Sequence, residues 1–361
     1  MTKKIKLFDP VISHDEESSI KKIFKSGFWA SGAGIGNVNI FEKKFQAYIG
    51  SKDCIAVNSG TAALHLALSV LDIKNKEVII PSLSFVSTAH AIVYNGGKPI
   101  FAEVDPQTLC VDSSDIKKKI NKNTKAILPV HFAGMPANLN QLKHIAKEYD
   151  LTLIEDAAHA CGATYNSKKI GSHSDMVCFS FHPVKNLAMP SGGLISINRS
   201  DSKNLKKIFS SRRWCGISDR KDTSYDVKEL GWNFYMNEFS AAIGLAQLKK
   251  LDNLNAKRKK IAKIYQNEIH LEQKMLYNEN CSYHFYWILL KNRDQFRKKM
   301  KQIGIETGIH YQPIHKFSMY AKHSKLPITE NVGNSIISLP THPNLSNSDI
   351  DLIINSVNKF S

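Results

Sequence analysis

The chain has no Cys-x-x-Cys pair, no internal repeat, no low-complexity linker and no apolar run long enough to cross a bilayer. Its six cysteines, Cys54, Cys110, Cys161, Cys178, Cys215 and Cys281, lie far apart. That spacing argues against a zinc site or a disulfide framework and leaves each as a small apolar filler, so no metal is expected. The basic opening Met1-Thr2-Lys3-Lys4-Ile5-Lys6 runs into Asp9, Asp15, Glu16 and Glu17 instead of an apolar signal core. A cytoplasmic location away from any membrane is therefore expected. Acid is the scarcer charge, with 32 Asp and Glu against 49 Lys and Arg and a formal charge of +17. The basic residues are scattered in short runs such as Lys117-Lys118-Lys119 and Lys257-Arg258-Lys259-Lys260, which read as solvated helix faces. Nucleic acid is not an expected partner. A positive field does suit an anionic substrate or cofactor.

What is present is globular: 361 residues, 42% hydrophobic, 9% aromatic and 22% charged, enough for one large domain and a smaller second one. Strand-like runs at 78–80, 125–130, 151–154, 176–180 and 193–197 alternate with apolar-periodic helices at 61–71 and 138–149. This pattern predicts a three-layer α/β/α large domain with a mostly parallel sheet covered on both faces. A long helical pattern at 237–268 leads out of it, followed by a strand at 283–290, a helix at 294–303 and a loop rich in His and Pro. The expected division is 1–245 for an N-terminal segment with the large domain, and 246–361 for a smaller α/β C-terminal domain.

Four segments carry chemistry. In Ser180-Phe181-His182-Pro183-Val184-Lys185-Asn186 a strand runs into a Pro-containing turn that bears a lysine, followed by Ser191-Gly192-Gly193 and another strand. A lysine held on such a turn and partly desolvated loses proton affinity and becomes a nucleophile toward an aldehyde. In Ile154-Glu155-Asp156-Ala157-Ala158-His159 a carboxylate sits just past an apolar strand, where open α/β sheets place ligand groups; capping of the next helix is its ordinary alternative. In Asn58-Ser59-Gly60-Thr61-Ala62-Ala63 a strand gives way to a helix whose N-terminus suits a phosphate, with Ser180 as a second hydroxyl. In Pro81-Ser82-Leu83-Ser84-Phe85-Val86-Ser87-Thr88 the phenyl ring of Phe85 follows a strand end, placed either to stack on a cofactor ring or to pack in the core.

Taken in order, these segments resemble the DegT/DnrJ/EryC1/StrS family of sugar aminotransferases, which have fold type I. The likeness extends to Gly27-Phe28-Trp29-Ala30-Ser31-Gly32, Pro129-Val130-His131-Phe132-Ala133-Gly134, Gly308-Ile309-His310-Tyr311-Gln312-Pro313-Ile314-His315 and Ser338-Leu339-Pro340-Thr341-His342-Pro343, covering essentially the whole chain. The resemblance implies pyridoxal 5′-phosphate as cofactor, held as a Schiff base on Lys185, with Lys185 also moving the proton. Asp156 would face the pyridine nitrogen, Phe85 and Ala158 the two ring faces, and His159 the phenolic oxygen. Gly60, Thr61 and Ser180 would hold the phosphate. Asn233 would reach the phosphate of a neighbouring subunit, which implies a homodimer with shared active sites.

Two departures stand out: Pro190-Ser191-Gly192-Gly193 replaces a common Gly-Glu-Gly-Gly, and Tyr235 stands where an arginine often follows the Asn-aromatic pair. The implied activity is a ping-pong transamination from L-glutamate to a nucleotide-linked keto sugar. C4 of a 4-keto-6-deoxy sugar is favoured, because His159 stands where relatives acting at C3 more often carry Gln. His310, Tyr311 and His315 are candidate sugar contacts; a His-rich loop packed at the domain interface is the competing reading. A dehydratase of the same family would carry histidine in place of Lys185. An inactive regulatory or binding member would first lose Lys185, Asp156 or the phosphate hydroxyls.

Overall fold

The structure, a computed structural model, describes residues 4–321 and 325–361. Its centre is a seven-stranded sheet of Asp53–Val57 (β1), Glu77–Pro81 (β2), Lys98–Ala102 (β3), Thr124–Ile127 (β4), Thr152–Asp156 (β5), Met176–Ser180 (β6) and Gly193–Ile197 (β7). The spatial order is β1-β7-β6-β5-β4-β2-β3. All neighbours are parallel except at β7, which runs against both β1 and β6. This is the mostly parallel α/β architecture expected from the alternating runs. The predicted strands at 176–180 and 193–197 match β6 and β7. The run at 125–130 stops early as a strand, at Ile127, because Pro129 has no N–H to give to a ladder. Its carbonyl still accepts from Asp156 N, at 2.9 Å, so this segment continues alongside β5.

Alternation along the strands feeds two separate cores. Ala56, Ile79, Leu153, Val177 and Leu194 point into one. Val57, Val78, Ile80, Ile154, Cys178 and Ile195 point into the other. With both faces buried, the strands read as continuous apolar runs rather than alternating ones.

The sheet's exposed edge would be β1, and the chain closes it with side chains. Glu42, on helix α2 (Asn37–Ile49), accepts from Ala56 N at 2.8 Å, while Arg213 Nη1 donates to Ala56 O at 2.6 Å. The two side chains also pair with each other at 2.7 Å, and both are buried. A buried ion pair thus satisfies the backbone groups that an edge strand leaves open.

The long helix α5 — Glu238–Glu268, begun by an Asn237 side chain that accepts from Ser240 N — packs directly against this layer. Gly244 permits the contact, since a Cβ there would lie 2.0 Å from Met189 Cε. Residue 245, where the sequence suggested a division, falls inside this uninterrupted helix, which therefore carries the chain from one part to the next. Beyond it, Tyr286–Leu289 pairs antiparallel with Ile336–Leu339. Among the described residues no helix is long and apolar enough to cross a membrane.

Removing one partner of the Glu42–Arg213 pair strands a buried charge and reopens the β1 edge. Glu42→Ala is expected to cost about 3–5 kcal/mol of stability by urea unfolding. A loss below about 1 kcal/mol, the range of an exposed ion pair, would show that the pair does not hold that edge.

Candidate active site

Strand register builds the site. Val57 and Ser180, the last residues of β1 and β6, both pair with Gly193, the first residue of β7, so three chain segments meet in one row. The turn after β1 enters helix α3 (Gly60–Ser69) through Ser59, whose hydroxyl caps it by accepting from Ala62 N at 3.1 Å. Ser59 O takes Ala63 N. The N–H groups of Gly60 and Thr61 are left facing the cavity, at the positive end of the helix dipole. Two glycines allow the close approach: a Cβ on Gly60 would lie 2.7 Å from Ser180 Cβ, and one on Gly193 would lie 2.2 Å from Ser59 O. Ser191 Oγ donates to Asn58 O, tying the start of β7 to the end of β1. The serine that departs from the common glutamate therefore has a structural task here.

Lys185 sits on a turn closed at both ends. Phe181 N donates to Gly192 O and Met189 N to Phe181 O, each at 2.8 Å, and Lys185 N donates to His182 O. The next side chain, Asn186, anchors the turn by donating to Asn255 Oδ1 on α5 at 2.8 Å and to Ser282 O at 2.7 Å. Burial lowers the Lys185 amine to about 8, against the pull of the Asp156 carboxylate, which raises it. A neutral, nucleophilic amine is therefore populated near neutral pH.

Asp156 ends β5, buried at the cavity wall. Its Oδ1 accepts from Ala158 N at 3.1 Å, and its Oδ2 accepts from Thr88 Oγ1 at 2.9 Å. Thr88 is in turn bonded to Ser84 Oγ at 2.7 Å. Burial raises the proton affinity of Asp156 in spite of those two bonds. On the other side of β5, His131 Nδ1 accepts from Ala137 N at 3.0 Å, which leaves its Nε2–H to donate to the buried Glu155 at 2.7 Å.

The remaining wall is aromatic and uncharged. His159 Nε2 lies 3.0 Å from Tyr311 OH, and its Nδ1 is buried with no partner among the described residues. Burial and the nearby Lys185 hold His159 well below the usual imidazole range, and the same causes bring His310 to about 4. Phe85 remains half exposed, with its ring 6.0 Å from that of Tyr311.

These groups surround a cavity of about 320 Å³ at the carboxyl ends of the parallel strands. Gly60, Thr61, Phe85, Asp156, Ala158, His159, Ser180, Lys185, His310 and Tyr311 all line it, together with Ser84 and Ser191. Two expected residues do not. His315 is turned away, with its Nδ1 2.6 Å from Ser82 Oγ and its Nε2 3.2 Å from Glu330, a packed loop histidine of the kind the competing reading described. Asn233 is exposed outside the cavity between Trp232 and Phe234, whose rings stack 5.7 Å apart. Sequence reasoning missed Thr88, although it quoted the segment, because the partner lies 68 residues away. It also missed His284, whose Nε2 is 3.5 Å from Lys185 Nζ across 99 residues.

The donor set fits pyridoxal phosphate: a helix N-terminus with hydroxyls and a cradle too tight for a Cβ, a carboxylate for the ring nitrogen, and an amine for the aldehyde. The sequence model of the DegT/DnrJ/EryC1/StrS aminotransferase family matches residues 10–358. An uncharacterized protein of Methanocaldococcus jannaschii is 34% identical, covering 98% of this chain and 96% of its own length. GDP-perosamine synthase of Escherichia coli O157:H7 is 33% identical, covering 99% of each chain. Among solved structures, Helicobacter pylori PseC, an aminotransferase involved in the biosynthesis of pseudoaminic acid, superposes with a TM-score of 0.93 at 27% identity over 99% of each chain.

Among the described residues the Thr88 hydroxyl makes the one side-chain bond to Asp156, and it favours the ionised form. Thr88→Val is expected to weaken pyridoxal phosphate binding about tenfold or more, the scale of a lost bond to a charged group, while Thr88→Ser retains most of it. Equilibrium titration of the apoprotein checks this. Equal affinities for the valine and serine variants would remove Thr88 from the site.

Proposed function

The chain belongs to the DegT/DnrJ/EryC1/StrS aminotransferase family, whose cofactor is pyridoxal phosphate, and from that premise we propose that it moves an amino group from L-glutamate to a nucleotide-linked keto sugar. The observation that carries this reading is a depressed amine and a buried carboxylate on the wall of one cavity, beside an anion cradle. The bound cofactor supplies an electron sink for carbanion character at the substrate carbon. The chain's own residues do the rest.

Lys185, whose amine is lowered to about 8, would hold the cofactor through its aldehyde and, as a free amine, would be the group that holds and moves a proton at Nζ. Asp156, fixed by Thr88 and Ala158 N, would be the carboxylate that pairs with the ring nitrogen. The Gly60 and Thr61 amides with Ser180 would hold the phosphate, and Phe85 and Ala158 would flank the ring. Neutral His159 offers a hydrogen bond without competing for the proton that Lys185 carries. His310 and Tyr311, which line the cavity, would be the sugar contacts. Asn233, held outward by its aromatic neighbours, is available to a second subunit's phosphate, in a homodimer with shared sites. The division of the chain into a large domain and a smaller C-terminal domain belongs to the same proposal.

Three features bear on the substrate. The formal charge of +17 suits the diphosphate of a nucleotide sugar. The name of the Escherichia coli relative is that of a synthase for a GDP-linked sugar. His159 and the Phe181-His182-Pro183-Val184-Lys185-Asn186 wording favour C4 of a 4-keto-6-deoxy sugar. With Lys185 present and set in the cavity, transamination is favoured over dehydration.

Protein loaded with pyridoxal phosphate is expected to show a visible band that L-glutamate bleaches and that Lys185→Ala abolishes. No band, or none that any amino donor alters, would defeat the enzyme reading. A panel of nucleotide-linked keto sugars, with the product nitrogen located by NMR, tests the rest; nitrogen at C3 would overturn the positional assignment.

A further inference from the structure

We propose that His284 is the positioning residue of Lys185, its Nε2 accepting a hydrogen bond from Lys185 Nζ whenever that amine is free. His284 lies behind the cavity wall, ahead of the strand Tyr286–Leu289, and is buried. Its Nε2 is 3.5 Å from Lys185 Nζ. The ring cannot turn away. It stacks on Phe8 at 5.0 Å and packs on His159 at 4.6 Å and Phe285 at 5.3 Å. Its backbone is pinned as well: His284 N donates to Ala133 O at 2.9 Å, and His284 O accepts from the buried Arg258.

The direction of the bond follows from the charges around it. Asp156, His159, His182 and His310 face the amine, Tyr311 faces Asp156, and Arg258 lies behind His284. Burial, the Lys185 charge and Arg258 all resist protonation of His284, so the ring stays neutral. A neutral ring facing an amine that can be charged must present its lone pair. That assigns the hydrogen to Nδ1, which is buried and has no partner among the described residues. A buried polar atom left unsatisfied is rare, and it is most often found where a group does chemical work.

The need for such a residue comes from the reaction. Lys185 alternates between being bonded to the cofactor and being a free amine that carries a proton. A long, flexible side chain freed in a cavity would otherwise lose its orientation. His284 gives it a resting place 3.5 Å from Nε2, and an acceptor that supports the charged amine without taking its proton.

This inference rests on Lys185 being the cofactor lysine, and the test separates the two. Apoprotein is recombined with pyridoxal phosphate across a pH series, and the growth rate of the visible band is followed. The wild-type rate is expected to rise with an inflection near 8, since only the neutral amine attacks. His284→Phe keeps the ring stack but removes the acceptor, so the charged amine loses support and the inflection falls by about one unit. His284→Gln places an oxygen near the Nε2 position and is expected to restore it. A merely structural role would lower stability or amplitude and leave the inflection in place.

Should His284→Phe fail to fold, imidazole ¹⁵N shifts of His284 in the wild-type apoprotein decide instead. An unprotonated Nε2 that responds to Lys185→Ala supports the proposal, and a protonated Nε2 overturns it. An inflection shared by all three proteins overturns it too. No visible band in the wild type would defeat the assignment of Lys185 itself, and this proposal with it.

Discussion

The structure is organised around the burial of an amine and a carboxylate in one cavity without letting them pair. Lys185 and Asp156 feel each other's charge, yet no ion pair joins them. Direct pairing would quench both groups: the amine would be held charged and lose its nucleophilicity, and the carboxylate would be turned from any ring nitrogen. The fold keeps them apart by fixing each to something else. Asp156 is held by a backbone N–H and by Thr88, and Lys185 by a turn closed through Phe181 and Asn186. Burial then acts on both in the useful sense, making the amine a better nucleophile and the carboxylate a stronger base for the cofactor ring.

That separation depends on the sheet. Parallel strands deliver their carboxyl ends to one edge, so Asp156 and Ser180 arrive there together. The reversed strand β7 adds a chain start at the same edge, and its first residue, Gly193, is small enough to let the phosphate loop settle against β6. One consequence is that β1, which carries that loop, lies at the rim of the sheet and needs outside support. Glu42 and Arg213 provide it at Ala56. A buried ion pair far from the chemistry thus holds the strand from which the anion cradle is launched.

Much of this was legible in sequence because it is local. The runs at 176–180 and 193–197 have turn residues on both sides, and Asp156 directly follows an apolar run, so strand ends and their polar residues could be read together. Contacts between distant segments could not. The bond from Thr88 to Asp156 and the approach of His284 to Lys185 have no local pattern, since threonine in a helix and histidine before a strand are ordinary. The direction of β7 was also hidden. Both faces of the sheet are buried, so its residue pattern is the same whichever way it runs. His315 shows the opposite error: a His-rich loop suggested sugar contacts, but one of its histidines is held by Ser82 and Glu330.

The same division explains why the cofactor is easier to read than the substrate. The cofactor groups sit at strand ends, on turns closed by backbone hydrogen bonds, where a change of residue disturbs the sheet itself. The proposed sugar contacts come from elsewhere: His310 and Tyr311 belong to a loop of the C-terminal part. Loops of this kind can vary without disturbing the core that carries them. The cofactor chemistry thus rests on groups at strand ends and closed turns, and the proposed specificity on loops that can vary. A single sequence identifies the first because its motifs are tied to the fold. It leaves the second to geometry, where a neutral imidazole, His159, lies 3.0 Å from Tyr311 OH on the cavity wall.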